Sequence, residues 1–122
     1  MALSMDKIYE EILRDGGETP SKKVKETAQR FPDMIAMRYK EFGLWQETTY
    51  ENFWLKSNYL GMALRHFGVL KGNSVAIHSE NRPEWFIADI GIQSLGAISV
   101  GLYPTNPPAE VQYLLSHSES KI

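Results

Sequence analysis

The feature that most constrains this chain is the stretch from Ser74 to Thr105, because it holds two short apolar runs too far apart to pair as a hairpin. Ser74-Val-Ala-Ile-His-Ser79 and Gly96-Ala-Ile-Ser-Val-Gly-Leu-Tyr-Pro-Thr105 read as strands; between them Glu80-Asn-Arg-Pro-Glu84 reads as a turn and Trp85 to Leu95 as a helix. Strands joined by a helical crossover lie parallel. Parallel sheets are covered on both faces. The helix fits such a sheet: only Asp89, Gln93 and Ser94 interrupt Trp85, Phe86, Ile87, Ala88, Ile90, Ile92 and Leu95, which predicts burial on more than one side. Asn81 and Glu84 stand at capping-box spacing, and Pro83 occupies the first turn, where a missing N–H costs nothing.

The rest of the chain is built around this unit. Ile8, Ile12 and Leu13 have helical spacing until Gly16-Gly17 stops them, so residues 1–18 are expected to form a mobile arm that orders only on docking. Thr19-Pro20 opens a helix running to about Arg30. Its Lys22, Lys23 and Lys25 share the surface with Glu26, which predicts a solvated face rather than a phosphate or lipid patch. Met34 to Tyr39 and Leu44 to Tyr50 read as an antiparallel pair, with Gly43 supplying the positive φ of the loop. Thr49 then caps a helix from Tyr50 to Phe67, with Phe53, Ser57, Leu60, Leu64 and Phe67 as its buried stripe and Gly68 in the left-handed position beyond its end. Ser57 and Gly61 are small enough to let a neighbouring backbone approach.

Beyond the central unit, Asn106-Pro-Pro-Ala-Glu110 starts another helix, with Val111, Tyr113, Leu114 and Leu115 as its apolar side, and Lys121-Ile122 resembles the first step of a third parallel strand. The expected fold is α/β: an incomplete parallel sheet with crossover helices, centred on the βαβ unit at 74–105, plus an N-terminal antiparallel strand pair and helices. Residues 19–122 are expected to be the front part of a larger domain, truncated at the start of the next strand, because the sheet edge would otherwise stay unpaired.

Charge and composition narrow the chemistry. With 13 Lys and Arg against 15 Asp and Glu the formal net charge is −2, so no basic field is available to collect a phosphate backbone, and nucleic acid is excluded as a partner. Cysteine is absent, which removes disulfides and thiolate metal sites and suits a reducing compartment, the cytoplasm by default. No apolar run approaches the roughly 18 residues of a membrane span, so any membrane contact is peripheral. His66, His78 and His117 have no metal-type spacing, Ser79 has no general base at identifiable spacing, and Gly91, Gly96 and Gly101 do not compose a phosphate-binding loop. They read instead as packing and helix-end glycines. No catalytic, cofactor-binding or metal residue is assigned.

One resemblance runs through these segments in order. Ser79-Glu-Asn-Arg-Pro-Glu-Trp85, Gly96-Ala-Ile-Ser-Val-Gly-Leu-Tyr-Pro-Thr105 and Glu110-Val-Gln-Tyr-Leu-Leu-Ser-His-Ser118, together with Gly43-Leu-Trp-Gln-Glu-Thr-Thr-Tyr50 and His66 to Ile77, resemble the N-terminal region of AMP-forming long-chain acyl-CoA synthetases of the adenylate-forming superfamily. The likeness covers about residues 20 to 122. It implies an enzyme that joins a fatty acid to AMP from ATP, with Mg2+, and passes the acyl group to the thiol of coenzyme A. The family's phosphate-gripping loop, its nucleotide contacts and its catalytic lysine lie downstream of the matched region. The resemblance therefore implies that this chain binds no cofactor and has no ligase activity alone. It casts Asn81, Arg82, Glu84 and Trp85 as the scaffold of the crossover-helix start. Tyr103 and Thr105 would be the exit from the second strand, scaffold at the sheet's ligand-facing edge. Two readings from other classes stand beside it: an interaction module that binds a partner or a second copy through the open sheet edge near Lys121-Ile122, and a carrier of fatty acid or nucleotide without catalysis.

Overall fold

The computed structural model describes residues 18–122. The arm expected at residues 1–18 thus lies outside the described residues, save for Glu18. Helix α1 (Pro20–Arg30) starts where Thr19 accepts a hydrogen bond from the Lys22 N–H at 3.3 Å, with Pro20 as its first residue. Lys22, Lys23 and Lys25 are exposed, and Lys23 is paired with Glu18 at 2.7 Å and Glu26 at 3.1 Å, so the solvated face is as expected.

Strands β1 (Ile35–Glu41) and β2 (Leu44–Thr49) form an antiparallel hairpin with Lys40 opposite Trp45 and Arg38 opposite Glu47. β1 runs two residues past the expected Tyr39, which shrinks the loop to Phe42-Gly43. Both loop residues have positive φ, +49° and +80°, the geometry of the two-residue turn whose twist matches that of the strands. The base of the hairpin is tied to the next helix by Tyr50 N–H donating to the Met34 carbonyl at 2.9 Å and Glu51 N–H to the Pro32 carbonyl at 3.1 Å.

Helix α2 (Tyr50–His66) is capped by Thr49, which accepts from the Asn52 N–H. Strand β3 (Ser74–His78), helix α3 (Pro83–Ser94) and strand β4 (Ile98–Leu102) form the expected βαβ unit, with β3 and β4 parallel and Ser74 opposite Ile98 through His78 opposite Leu102. Helix α4 (Pro108–His117) follows. No helix among the described residues is long and apolar enough to cross a membrane.

Each of the last three helices ends by the same device. After α2, Gly68 N–H donates to the Arg65 carbonyl and Val69 N–H to the Leu64 carbonyl; after α3, Gly96 bonds Gln93 and Ala97 bonds Ile92; after α4, Glu119 bonds Ser116 and Ser120 bonds Leu115. The residue in the left-handed position is Gly68, Gly96 or Glu119, at φ +90°, +70° and +52°. This is the Schellman arrangement, which also packs the residue after the turn against the last helical turn. Val69 on Leu64 and Ala97 on Ile92 do so inside the core, alongside Val75 and Ile77 of β3.

The same turn explains one departure from the sequence reading. Phe67 does not complete the buried stripe of α2; it is 73% exposed, because it is the C-cap residue and Val69 takes the core position instead. Phe53, Ser57 and Leu64 are buried as expected. α3 also falls short of all-round burial: Ile90, Gly91 and Ile92 are buried but Phe86 is exposed. On α4 only Val111 and Leu114 are half-buried, whereas Tyr113 and Leu115 face solvent.

α2 and α3 meet through glycine. A Cβ on Gly91 would lie 2.7 Å from the Ser57 carbonyl oxygen, and one on Gly61 would lie 3.1 Å from the Gly91 carbonyl oxygen, so the two backbones touch where the sequence offered small residues.

β3 is the central strand. On the side away from β4, Lys121 N–H donates to the Ser74 carbonyl and Ala76 N–H to the Ile122 carbonyl, both at 2.8 Å, so residues 120–122 begin a third parallel strand. The edge named near Lys121-Ile122 is therefore already joined to β3, and the longer unpaired edge among the described residues belongs to β4. The chain moves from β3 outward to β4 and then back across β3. With right-handed crossovers, that reversal puts α3 and α4 on opposite faces of the sheet.

Candidate functional site

A reversal of this kind opens a crevice at the carboxyl ends of the two strands whose connections diverge, the usual ligand position in open α/β sheets. Here those ends are His78 of β3 and Leu102 of β4. A cleft of about 430 Å³ lies there, walled by Trp85, Leu102, Tyr103 and Pro104 and edged by Ser79 and Asn81. A second groove, of about 560 Å³, lies at the opposite end of the sheet, beside Asn73, Ser74 and Ser120. It is larger, but it lies at the amino ends of the strands, where no divergent loops converge.

The first wall comes from the β3–α3 turn. Pro83 forces the residue before it out of the helical region, and Arg82 is extended, with φ −145° and ψ 162°. Arg82 is therefore the N-cap, and it makes no side-chain capping bond. The capping box expected from Asn81 and Glu84 is not formed: Glu84 becomes the second helical residue, one short of the position that reaches back. Its carboxylate instead accepts from Arg82 Nε at 2.8 Å and from Nη2 at 3.3 Å. That bond to Arg82 holds the Glu84 carboxyl below the usual carboxylate range and raises the Arg82 guanidinium. Ser79 Oγ donates to the Glu80 carbonyl at 3.1 Å.

Trp85 is half-buried against the core, and Gly101 makes room for it: a Cβ there would sit 3.3 Å from Trp85 Cζ2. Because the ring is only partly covered, removing it would cost less than the roughly 3–5 kcal/mol of a fully buried aromatic. The second wall is the exit from β4, where Leu102 is buried and Tyr103 projects into solvent. His78 Nε2 lies 3.1 Å from the Tyr103 carbonyl oxygen, a hydrogen bond that ties the two strand ends together. Asn106 N–H also donates to that carbonyl at 3.0 Å, closing the turn that leads to α4.

Of the residues singled out from sequence, the structure brings Asn81, Trp85 and Tyr103 together around the cleft. Arg82 and Glu84 bind each other outside its lining, and Thr105 is exposed beyond it. Ser79, Glu80, Gly101, Leu102 and Pro104 also line it. The signal for them was positional, since each lies just past or just before a strand's carboxyl end, and residue type alone gave no hint.

Two polar groups at the strand ends already have partners. The Ser79 hydroxyl donates to the Glu80 carbonyl, and His78 braces the two strands. No three His, Cys, Asp or Glu side chains among the described residues converge to hold a metal ion. Apolar walls with a few polar groups at the rim are the composition of a small-molecule subsite.

Comparison with known proteins places this geometry. The family described as AMP-binding enzyme matches residues 24–122. A long-chain-fatty-acid–CoA ligase of Gallus gallus is 32% identical over 103 residues, 80% of this chain and 13% of that protein. Among solved structures, the N-terminal subdomain of Klebsiella oxytoca NpsA in complex with anthranilyl-AMSN superposes with a TM-score of 0.75 at 26% identity, covering 83% of this chain and 26% of the other. A fatty acyl-adenylate ligase from L. pneumophila, in complex with acyl adenylate and pyrophosphate, shares the fold with a TM-score of 0.77 at 19% identity over 82% of this chain and 18% of its own. The chain thus spans about an eighth of the length of the curated relatives it matches.

Proposed function

The chain belongs to the AMP-binding enzyme family, and from that premise we propose that it supplies the N-terminal part of an ATP-dependent long-chain fatty acid–CoA ligase in the cytoplasm. In that reaction a fatty carboxylate attacks the α-phosphate of ATP, releasing pyrophosphate and leaving an acyl adenylate. The thiol of coenzyme A then displaces AMP to give the thioester. The observation that carries the reading is the 32% identity to a long-chain-fatty-acid–CoA ligase over 103 residues. The family match, residues 24–122, includes both loops of the cleft.

The part played by these residues is architectural. β3, α3 and β4 form one side of the sheet's ligand-facing edge, and Trp85 and Tyr103 present a wall for the acyl or nucleotide group held by residues of a longer protein. Alone, the described residues offer no fixed donors around a triphosphate, and donors of that kind contribute several kcal/mol to such a transition state.

The experiment is a chimera in which residues 24–122 replace the matching segment of the Gallus gallus ligase, assayed for fatty-acid-dependent AMP release and acyl-CoA formation. Activity within about tenfold of the parent is expected, while the purified 122-residue chain forms no thioester. A chimera that folds but releases no AMP would overturn the proposal, as would turnover by the 122-residue chain alone.

A further inference from the structure

A groove of about 350 Å³ lies where α1, α2 and α3 meet. It is away from the cleft, because α3 leaves β3 at the cleft and ends where β4 begins, and Ser94 and Leu95 line the groove. Trp54, Gly61, Met62 and Leu95 give it an apolar floor, with Lys25 of α1 and Arg65 of α2 at its walls and no carboxylate in its lining. Among the described residues neither of these two cationic side chains has an ion-pair or hydrogen-bond partner. From Trp54 to Arg65 the groove follows α2 for about 16 Å, the length of a helix of about eleven residues.

The sequence holds a segment of that length with the complementary pattern. Residues 5–15 lie outside the described part of the chain, and in them Met5, Ile8, Tyr9, Ile12 and Leu13 recur at the spacing of one helix face. At about 100° per residue, Asp6 and Glu10 fall along one edge of that face and Asp15 and Glu11 along the other. Lys7 and Arg14 fall on the far side. Such a helix is apolar where it meets the groove and acidic on both flanks, where Lys25 and Arg65 stand.

The tether favours this occupant over any other. Gly16-Gly17-Glu18-Thr19 joins the segment to α1, and four residues are within the usual length of a loop between antiparallel helices. A segment held by so short a linker is present at an effective concentration in the mM range, which a separate partner rarely reaches. The family match begins at residue 24, so the segment adds to the scaffold common to the family.

We propose that residues 5–15 fold back as a helix antiparallel to α1 and seat their apolar face in the groove between α1, α2 and the end of α3, with their flanking carboxylates against Lys25 and Arg65. The proposal makes no use of ligase activity, so its failure and that of the ligase reading are separable.

Disulfide trapping in the 122-residue chain tests it, and the absence of native cysteine removes any background. Ile12→Cys with Met62→Cys puts one thiol on the apolar face of the segment and the other in the groove. Ile12→Cys with Tyr113→Cys, on the exposed side of α4, is the control. Met62 and Tyr113 are both exposed, so neither change is expected to disturb the fold. Under mild oxidation the Met62 pair should close within one chain at least about tenfold faster than the Tyr113 pair, since a disulfide needs Cα atoms within about 7 Å. Adding Arg65→Glu should slow that closure about threefold, whereas Lys56→Glu, on the opposite side of α2, should leave it unchanged. Equal closure of the two pairs overturns the proposal, as does a disulfide that forms only between two copies.

Discussion

Gly91→Ala is a substitution for which two physical effects give opposite signs. In the middle of a helix, alanine is favoured over glycine by about 1 kcal/mol, because glycine gives up more backbone freedom on folding. At this position, however, the added methyl would lie 2.7 Å from the Ser57 carbonyl oxygen, 3.4 Å from the Gly61 nitrogen and 3.4 Å from the Leu60 Cβ. Ordinary contacts between a carbon and a carbonyl oxygen are about 3.3 Å or longer, so α2 and α3 must part by roughly half an ångström where they touch. The obstacle is backbone, which no rotamer change relieves, and Ser57 is fully buried. Overpacking of this kind costs about 1–3 kcal/mol. Packing wins, and a net loss of about 1–2 kcal/mol is expected. For a domain of about 100 residues that lowers the melting temperature by roughly 4–16 °C. Urea titration followed by far-ultraviolet circular dichroism reads the change, and adding Ser57→Ala should not restore it, since the carbonyl remains. A Gly91→Ala protein as stable as wild type, or more so, would refute the close helix contact.

Two other outcomes test the turn after α2 and the ion pair before α3. Val69→Ala should cost about 2 kcal/mol, because Val69 is 1% exposed, whereas Phe67→Ala should stay within about 0.5 kcal/mol despite removing the larger side chain; chemical denaturation of the two variants gives the order directly. Glu84 has a folded pKa depressed chiefly by its bond to Arg82, so its contribution to stability is present above the unfolded carboxylate pKa and lost as pH falls through the folded value. Glu84→Gln should therefore melt slightly below wild type at neutral pH and level with it at the lowest pH the fold tolerates. The gap is small because both side chains are exposed, and an unchanged gap in acid would show that the pair is not its source.

The sequence made the βαβ unit legible because its constraints agree: the crossover length, the strand residues and the apolar helix allow one arrangement. The glycines were equally readable, with Gly68 and Gly96 at helix ends and Gly61 and Gly91 at a helix contact. Local signals failed where two of them competed. At Asn81 to Glu84 the capping-box spacing and the constraint imposed by Pro83 on Arg82 cannot both be met, and the steric rule won. At Phe67 a continuing heptad-like stripe competed with the Schellman turn, which took the next core position for Val69. The cleft was half legible. Asn81, Trp85 and Tyr103 were marked by type and place, but Ser79, Leu102 and Pro104 line it only because the connections of β3 and β4 part to opposite faces. That divergence depends on which side of β3 the residues 120–122 join, a fact of tertiary pairing that no local pattern encodes.

The cleft's lining and the buried cluster share almost no residues. The cluster consists of Leu64, Val69, Val75, Ile77, Ile92 and Ala97, with Trp85 the one lining residue packed against it. Ser79, Glu80, Asn81, Tyr103 and Pro104 can therefore change without emptying the interior, and surface changes of that sort usually alter stability by no more than about 0.5 kcal/mol. Substitution at those five positions would reshape the rim of the cleft and leave the six that hold the layers together in place.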